Sequence, residues 1–192
     1  KQDAEKLSGK GDTSQRLTLM KTSADSLKKS ADALNDSSLW EKKKIKKKDE
    51  KTGEEIEVED YDWDKITKAV KSFVEDYNDV VKEAGESNTK DVLRNATWMT
   101  GMTDKNSNML AKIGITIGKG NKLELDEDAL KQADISSLKT VFTGYNSFVS
   151  KISQKATGIS NAANRASATY TNNGTYSKTD SSLTSSKIDK EV

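Results

Sequence analysis

The sequence predicts a mainly α fold: an elongated antiparallel helical bundle or coiled coil carrying one or two small β-hairpins. Three observations point there. Apolar residues recur at alternating steps of three and four along most of the chain. No proline occurs in 192 residues, where average usage would place about nine or ten and where each would break a helix interior. Hydrophobic residues make up 32% and charged residues 33%, which suits thin helices with a narrow buried seam better than a thick core. The chain divides into one elongated bundle domain over residues 1–170, with a charged hairpin inserted at 41–60, and a tail over 171–192.

Residues 1–12 are polar and contain two glycines, so they read as a frayed lead-in. The first residue is Lys rather than Met, which reads as a chain trimmed at its start. Thr13 or Ser14 can cap the first helix. Its seam is Leu17, Met20, Ala24, Leu27, Ala31 and Leu34, stepping by 3, 4, 3, 4, 3.

At 41–60 the pattern changes. The run EKKKIKKK invites a nuclear-signal or phosphate-patch reading. The acidic run DEKTGEEIEVED directly behind it favours a hairpin instead. Folded about Glu50-Lys51-Thr52-Gly53, it sets Lys48 opposite Glu55, Lys46 opposite Glu57, Lys44 opposite Glu59 and Ile45 opposite Val58. Each such charge pair contributes about 0.2–1 kcal/mol, so complementarity fixes the register.

Asp62 or Asp64 can cap a second helix with the seam Ile66, Val70, Phe73, Tyr77, Val80 and Ala84, ending at Gly85 to Asn88. A third helix is predicted from about Thr89 to Ala111, carrying Val92, Leu93, Ala96, Met99, Met102, Met109 and Leu110, with Trp98 and the methionines as a satellite cluster. Ile113, Ile115 and Ile117 alternate, Gly118 to Asn121 interrupt, and Leu123 and Leu125 resume: a second hairpin. Its glycines do not make a phosphate loop, because no helix starts directly after them and no GKS or GKT follows. Asp126 begins a short acidic helix start, and its neighbours Glu127 and Asp128 lack the alternate spacing of a calcium loop. The last helix is predicted to run unbroken through Leu138, Phe142, Tyr145, Val149, Ile152, Ala156, Ile159, Ala163, Ala166 and Tyr170, stepping by 4 and 3. Residues 171–192 are rich in Ser, Thr, Asn and Lys, with Leu183 and Ile188 as candidate anchors, and read as a flexible tail.

Function classes are narrowed by what is missing. With no Cys there is no disulfide or thiolate chemistry, and with no His the commonest general base and metal ligand are gone. A net charge of +1 argues against a nucleic-acid binder held by bulk electrostatics. No apolar run is long enough to span a membrane. No paired carboxylates lie among apolar pocket residues, so no enzyme, cofactor, metal or small-molecule substrate is expected.

Two stretches carry a resemblance. Phe73-Val74-Glu75-Asp76-Tyr77-Asn78 resembles the FV-x-x-YN signature of the flagellar filament-cap family, hook-associated protein 2. Leu110-Ala-Lys-Ile113-Gly114-Ile115, then the hairpin, then Leu123-Glu-Leu125-Asp126 and Ala129-Leu130, is similar to that family's L-x-x-IGI and L-x-LD block. Val141-Phe142 sits near the position of its V-x-x-LF. The resemblance covers about residues 64–160, and Ser30 to Leu34 resembles the partner strand of the bundle in cap proteins and, more distantly, in flagellins. Family members carry large β-rich domains between the first helix and the FV-x-x-YN helix. Here only the 41–60 hairpin fills that gap, so the chain resembles a minimal bundle-only relative.

The resemblance implies a non-enzymatic structural subunit of the bacterial flagellum. It implies an extracellular place, self-association through the terminal helices and contact with flagellar axial proteins. It also implies export unfolded through a narrow channel, for which a chain without disulfides or slow prolyl isomerisation is well suited. A flagellin-like filament subunit, or a secreted adhesin presenting the 41–60 hairpin, is the alternative.

Overall fold

The computed structural model describes residues 11–188, with side chains through residue 169. The lead-in at 1–10, the last four residues of the tail, and Tyr170, Leu183 and Ile188 as side chains lie outside that description. Among the described residues seven α-helices and two antiparallel hairpins follow in order: α1 (Ser14–Leu34), β1 (Lys43–Lys48), β2 (Glu55–Asp60), α2 (Trp63–Gly85), α3 (Lys90–Lys105), α4 (Ser107–Ala111), β3 (Ile115–Ile117), β4 (Leu123–Leu125), α5 (Glu127–Gln132), α6 (Ile135–Phe142) and α7 (Phe148–Ile188). The class is mainly α, as the sequence predicts.

α1 starts where Thr13 accepts a hydrogen bond from the Arg16 amide, satisfying one of the free N–H groups of the first turn. Every seam residue of α1, Leu17 to Leu34, is buried. α2 is capped by Asp62, whose side chain accepts from Lys65 N, and its seam from Ile66 to Ala84 is buried likewise. α1 packs on α7 and on α2, and α3 packs on α7 and on α2. The common core lies between these helices and holds Phe73, Tyr77, Phe142 and Phe148. Phe73 meets Phe142 and Phe148 edge to face, with centroids 6.4 and 6.3 Å away.

Both hairpins form, and the first takes the expected register. Lys48 faces Glu55, Lys46 faces Glu57, Lys44 faces Glu59 and Ile45 faces Val58. The ion pairs themselves run diagonally, Lys44 to Glu57 at 3.8 Å and Lys47 to Asp60. In the second hairpin Ile115 faces Leu125 and Ile117 faces Leu123.

Several expectations need correction. The last helix is not continuous: α6 ends at Phe142, and α7 begins at Phe148. Between them Gly144 adopts φ +102°, and Asn35 at the end of α1 accepts its N–H at 2.8 Å. Tyr145 therefore sits in the turn and is 83% exposed instead of lying on the seam. A 3–4 repeat passes through such a turn unnoticed, because Gly144 and Asn146 replace helix formers only locally. The third helix splits at Asn106, whose side chain donates to Met102 O at 2.8 Å and competes with the helical ladder. Trp98 is 44% exposed and lies under Lys155, with Nζ 4.2 Å from the ring centroid, rather than in a methionine cluster. Leu93, placed among the apolar positions of that helix, is 38% exposed. Trp40, read as part of no element, is buried and stacks on Phe142 at 5.7 Å. Its ring N–H donates to Leu34 O at 2.7 Å. The stretch read as a flexible tail carries helical backbone as far as Ile188, although its Ser, Thr, Asn and Gly are weak helix formers and intrinsic propensity contributes little to that extension.

Candidate functional site

Two arrangements stand out, and neither is a catalytic cleft. The first is the seam between the terminal helices. Leu17, Met20, Leu27 and Leu34 of α1, and Val149, Ile152 and Ile159 of α7, are all buried, as is Phe142 at the end of α6. The packing is antiparallel: Asp32 accepts from Ser153 Oγ at 2.6 Å and Asp25 accepts from Ser160 Oγ, so numbers rise on one helix as they fall on the other. Asp25 and Asp32 are one heptad apart, and so are Ser153 and Ser160. Each carboxylate is also held by a lysine four residues earlier, Lys21 for Asp25 at 2.6 Å and Lys28 for Asp32. Burial raises the pKa of both carboxyls, but the hydrogen bonds from lysine and serine outweigh it and hold them below the usual carboxylate range. The apolar stripe supplies adhesion, and the repeated Lys–Asp–Ser unit favours one register, since a slip of one turn would cost both carboxylates their serine partners.

The second arrangement is built from the motif residues. Gly114 and Asp126 close the base of the second hairpin, Asp126 N–H donating to Gly114 O at 2.8 Å. The alternation of an antiparallel ladder, also marked by Gly118 N–H on Lys122 O at 2.7 Å, turns the Leu123 amide and carbonyl outward. Asn78 of α2 takes both: its Nδ2 donates to Leu123 O at 2.9 Å and its Oδ1 accepts from Leu123 N at 2.7 Å. A side-chain amide thus stands where a neighbouring strand would, and covers the edge of β4. One residue earlier on α2, buried Tyr77 donates to Thr103 Oγ1 at 2.8 Å, and Thr103 donates on to Met99 O, tying α2 to α3. Phe73 and Val74 fill the core below.

Gly114 has φ +87°, and a Cβ there would lie 2.6 Å from Asp126 O, so no other residue fits without a shift. Ile113, Ile115, Leu110 and Leu123 are buried around it, and Leu125 is half-buried. Asp126 then caps α5 by accepting from Ala129 N. The structure thus brings the two distant motifs together as one clamp.

The family model of the flagellar hook-associated protein 2 C-terminus matches residues 86–191, more than half of the chain. The chain belongs to that family. The hook-associated protein 2 match begins just after α2, so it contains the Leu110–Asp126 block and all of α7, while Phe73 to Asn78 lie upstream of it and meet it through the Asn78 and Tyr77 contacts. Comparison with curated proteins and with solved structures returned no match.

Sequence reasoning missed the polar half of the site. Asp12, assigned to a frayed lead-in, is buried and accepts from Ser87 Oγ, Thr89 Oγ1 and Asn88 N at 2.7, 2.6 and 2.9 Å. Burial raises its pKa, but those hydrogen bonds prevail and lower it. Nothing local marks Asp12, since its partners lie more than seventy residues away. Asp25 with Asp32, and Ser153 with Ser160, did leave a signal, the shared spacing of seven. The carboxyls that shift, at Asp12, Asp25, Asp32, Asp36 and Asp60, all move downward, opposite to the direction a general acid needs. Among the described residues no cluster of acidic side chains is arranged to hold a metal, and no helix is long and apolar enough to cross a membrane.

Proposed function

We propose that this chain is a non-enzymatic structural subunit of the bacterial flagellum, of the filament-cap kind, working outside the cell by self-association and contact with other axial proteins. The observation that carries the reading is the family match over 86–191, which includes the whole of α7, the helix that pairs antiparallel with α1, the first of the described helices.

The register of that pair supports assembly through the helix ends. Asp25 faces Ser160, so Ser14, eleven residues before Asp25, falls opposite residue 171, eleven after Ser160. The backbone of α7 continues from there to Ile188, roughly 25 Å further at 1.5 Å per residue. In the proposed role, that extension is the part a neighbouring subunit packs against. The hairpin and bundle remain outside as the body of the subunit.

The test is whether the full chain co-purifies with flagella sheared from cells that express it, and where antibody labels it. Labelling at filament tips is expected. Labelling along the whole filament would make it a filament subunit, and absence from sheared flagella would overturn the proposal.

A further inference from the structure

The two hairpins differ in how their edges are treated. The edge of β4 is covered by Asn78. The β1–β2 hairpin is a two-stranded sheet with two open edges, and it touches the body mainly at its base, where Ile45 and Lys47 border Tyr61 and Trp63. Asp49 N–H donates to Glu54 O at 2.9 Å, so Asp49 and Glu54 form an inward-bonded pair. Counting along the ladder, the inward-bonded pairs are Lys47 with Ile56, Ile45 with Val58 and Lys43 with Asp60. The unpaired N–H and C=O groups therefore belong to Lys44, Lys46 and Lys48 on one edge and to Glu55, Glu57 and Glu59 on the other. All six residues are exposed.

This segregation has a consequence for pairing between copies. Two basic edges repel each other, and so do two acidic edges, which excludes the symmetric two-fold pairings of like with like. A basic edge beside the acidic edge of another copy places lysines opposite glutamates in the same antiparallel sense as within one hairpin. We propose that the β1–β2 hairpin is an intersubunit element in which β1 of one copy pairs with β2 of the next, head to tail. Such a contact is heterologous and repeats around a ring, which leaves no edge open, or along an open ribbon, which leaves one at each end. It rests on the self-assembling role proposed above and adds a second contact to the helix ends.

The experiment uses a full-length charge-swapped chain carrying Lys44→Glu, Lys46→Glu, Lys48→Glu, Glu55→Lys, Glu57→Lys and Glu59→Lys. Complementarity within the hairpin and net charge are retained, so circular dichroism should match the parent. Isotope-labelled parent and unlabelled variant are mixed at equal concentration at low ionic strength, and the assemblies are resolved by native mass spectrometry. In the head-to-tail contact three like-charge pairs face each other at every mixed β1–β2 edge, so each chain is expected to assemble with its own kind and mixed neighbours to fall about tenfold below the statistical share; mixed neighbours in excess of that share would show β1 pairing with β1 and overturn the head-to-tail contact. Raising salt to 1 M should restore mixing. Statistical mixing at low salt overturns the hairpin contact while leaving helix-mediated assembly standing. Two chains that stay monomeric at all concentrations overturn both.

Discussion

Asn78→Ala tests whether a single side chain holds the second hairpin to α2. The change removes two hydrogen bonds, of 2.9 and 2.7 Å, and leaves the N–H and C=O of Leu123, a residue only 3% exposed, without those partners. A typical bond of this kind contributes about 0.5–1.5 kcal/mol net, and an orphaned buried group costs more, so the loss is roughly 2–3 kcal/mol. In a protein of this size that lowers Tm by about 4–12 °C. Urea unfolding followed by far-UV circular dichroism gives the free energy, and amide hydrogen exchange gives the location: the Leu123 amide should lose protection before the α2 core does. Asn78→Asp keeps the acceptor for Leu123 N–H but turns a second carboxylate oxygen toward Leu123 O, so it should recover less than half of the loss at pH 7. A stability within about 0.5 kcal/mol of the parent for Asn78→Ala, with Leu123 still protected, would refute the clamp.

Three further outcomes follow from other sites. Gly114→Ala forces a positive φ on a Cβ residue and drives that Cβ to 2.6 Å from Asp126 O; the conformation alone costs about 1–3 kcal/mol, so its urea midpoint should drop at least as far as that of Asn78→Ala. Asp12 has a folded pKa below its ordinary 3.8, so its contribution is fully present above that value and is lost as pH falls through the lower folded value; Asp12→Asn should be less stable at pH 7 and show a flatter stability-versus-pH curve below about pH 4, read by urea midpoints. Tyr77 is pushed up to about 12 by burial, against the smaller opposing effect of its bond to Thr103, so its contribution is complete below pH 10 and lost as pH rises toward 12; absorbance at 295 nm should show one tyrosine ionising late, and Tyr77→Phe should abolish that step.

Much of the architecture was written in periodicity. The α1 and α2 seams are continuous 3–4 repeats of residues that are all buried, and a helix with one apolar stripe has one face to hide. The β1–β2 register was legible because opposite charges mirror each other about a turn. Three kinds of feature were not legible. Tyr145 kept the heptad phase while the chain left the helix, because apolar spacing carries no information about a glycine in a positive-φ turn. Asn35, Asn78 and Asp12 act on backbone or side-chain groups far along the chain, and a polar residue gives no sign of a distant partner until the fold brings it there. Trp40 ends a single turn of 3-10 helix, too short to show any period, yet its ring lies buried in the core. The motif residues were recognisable as a pattern, but their reason is spatial: Asn78 and Leu123 are one contact.

The pairing of the first and last helices in a fixed antiparallel register underlies the whole account, and spin-label distances measure it directly in a chain that has no native cysteine. Labels at Thr22 and Asn164, which border one groove between α1 and α7, should give a short, narrow distance distribution. Labels at Thr22 and Lys151, thirteen residues back along α7, should lie further apart, with an axial offset of about 20 Å at 1.5 Å per residue. The reverse order of distances, or a broad distribution at Thr22 and Asn164, would contradict the antiparallel seam.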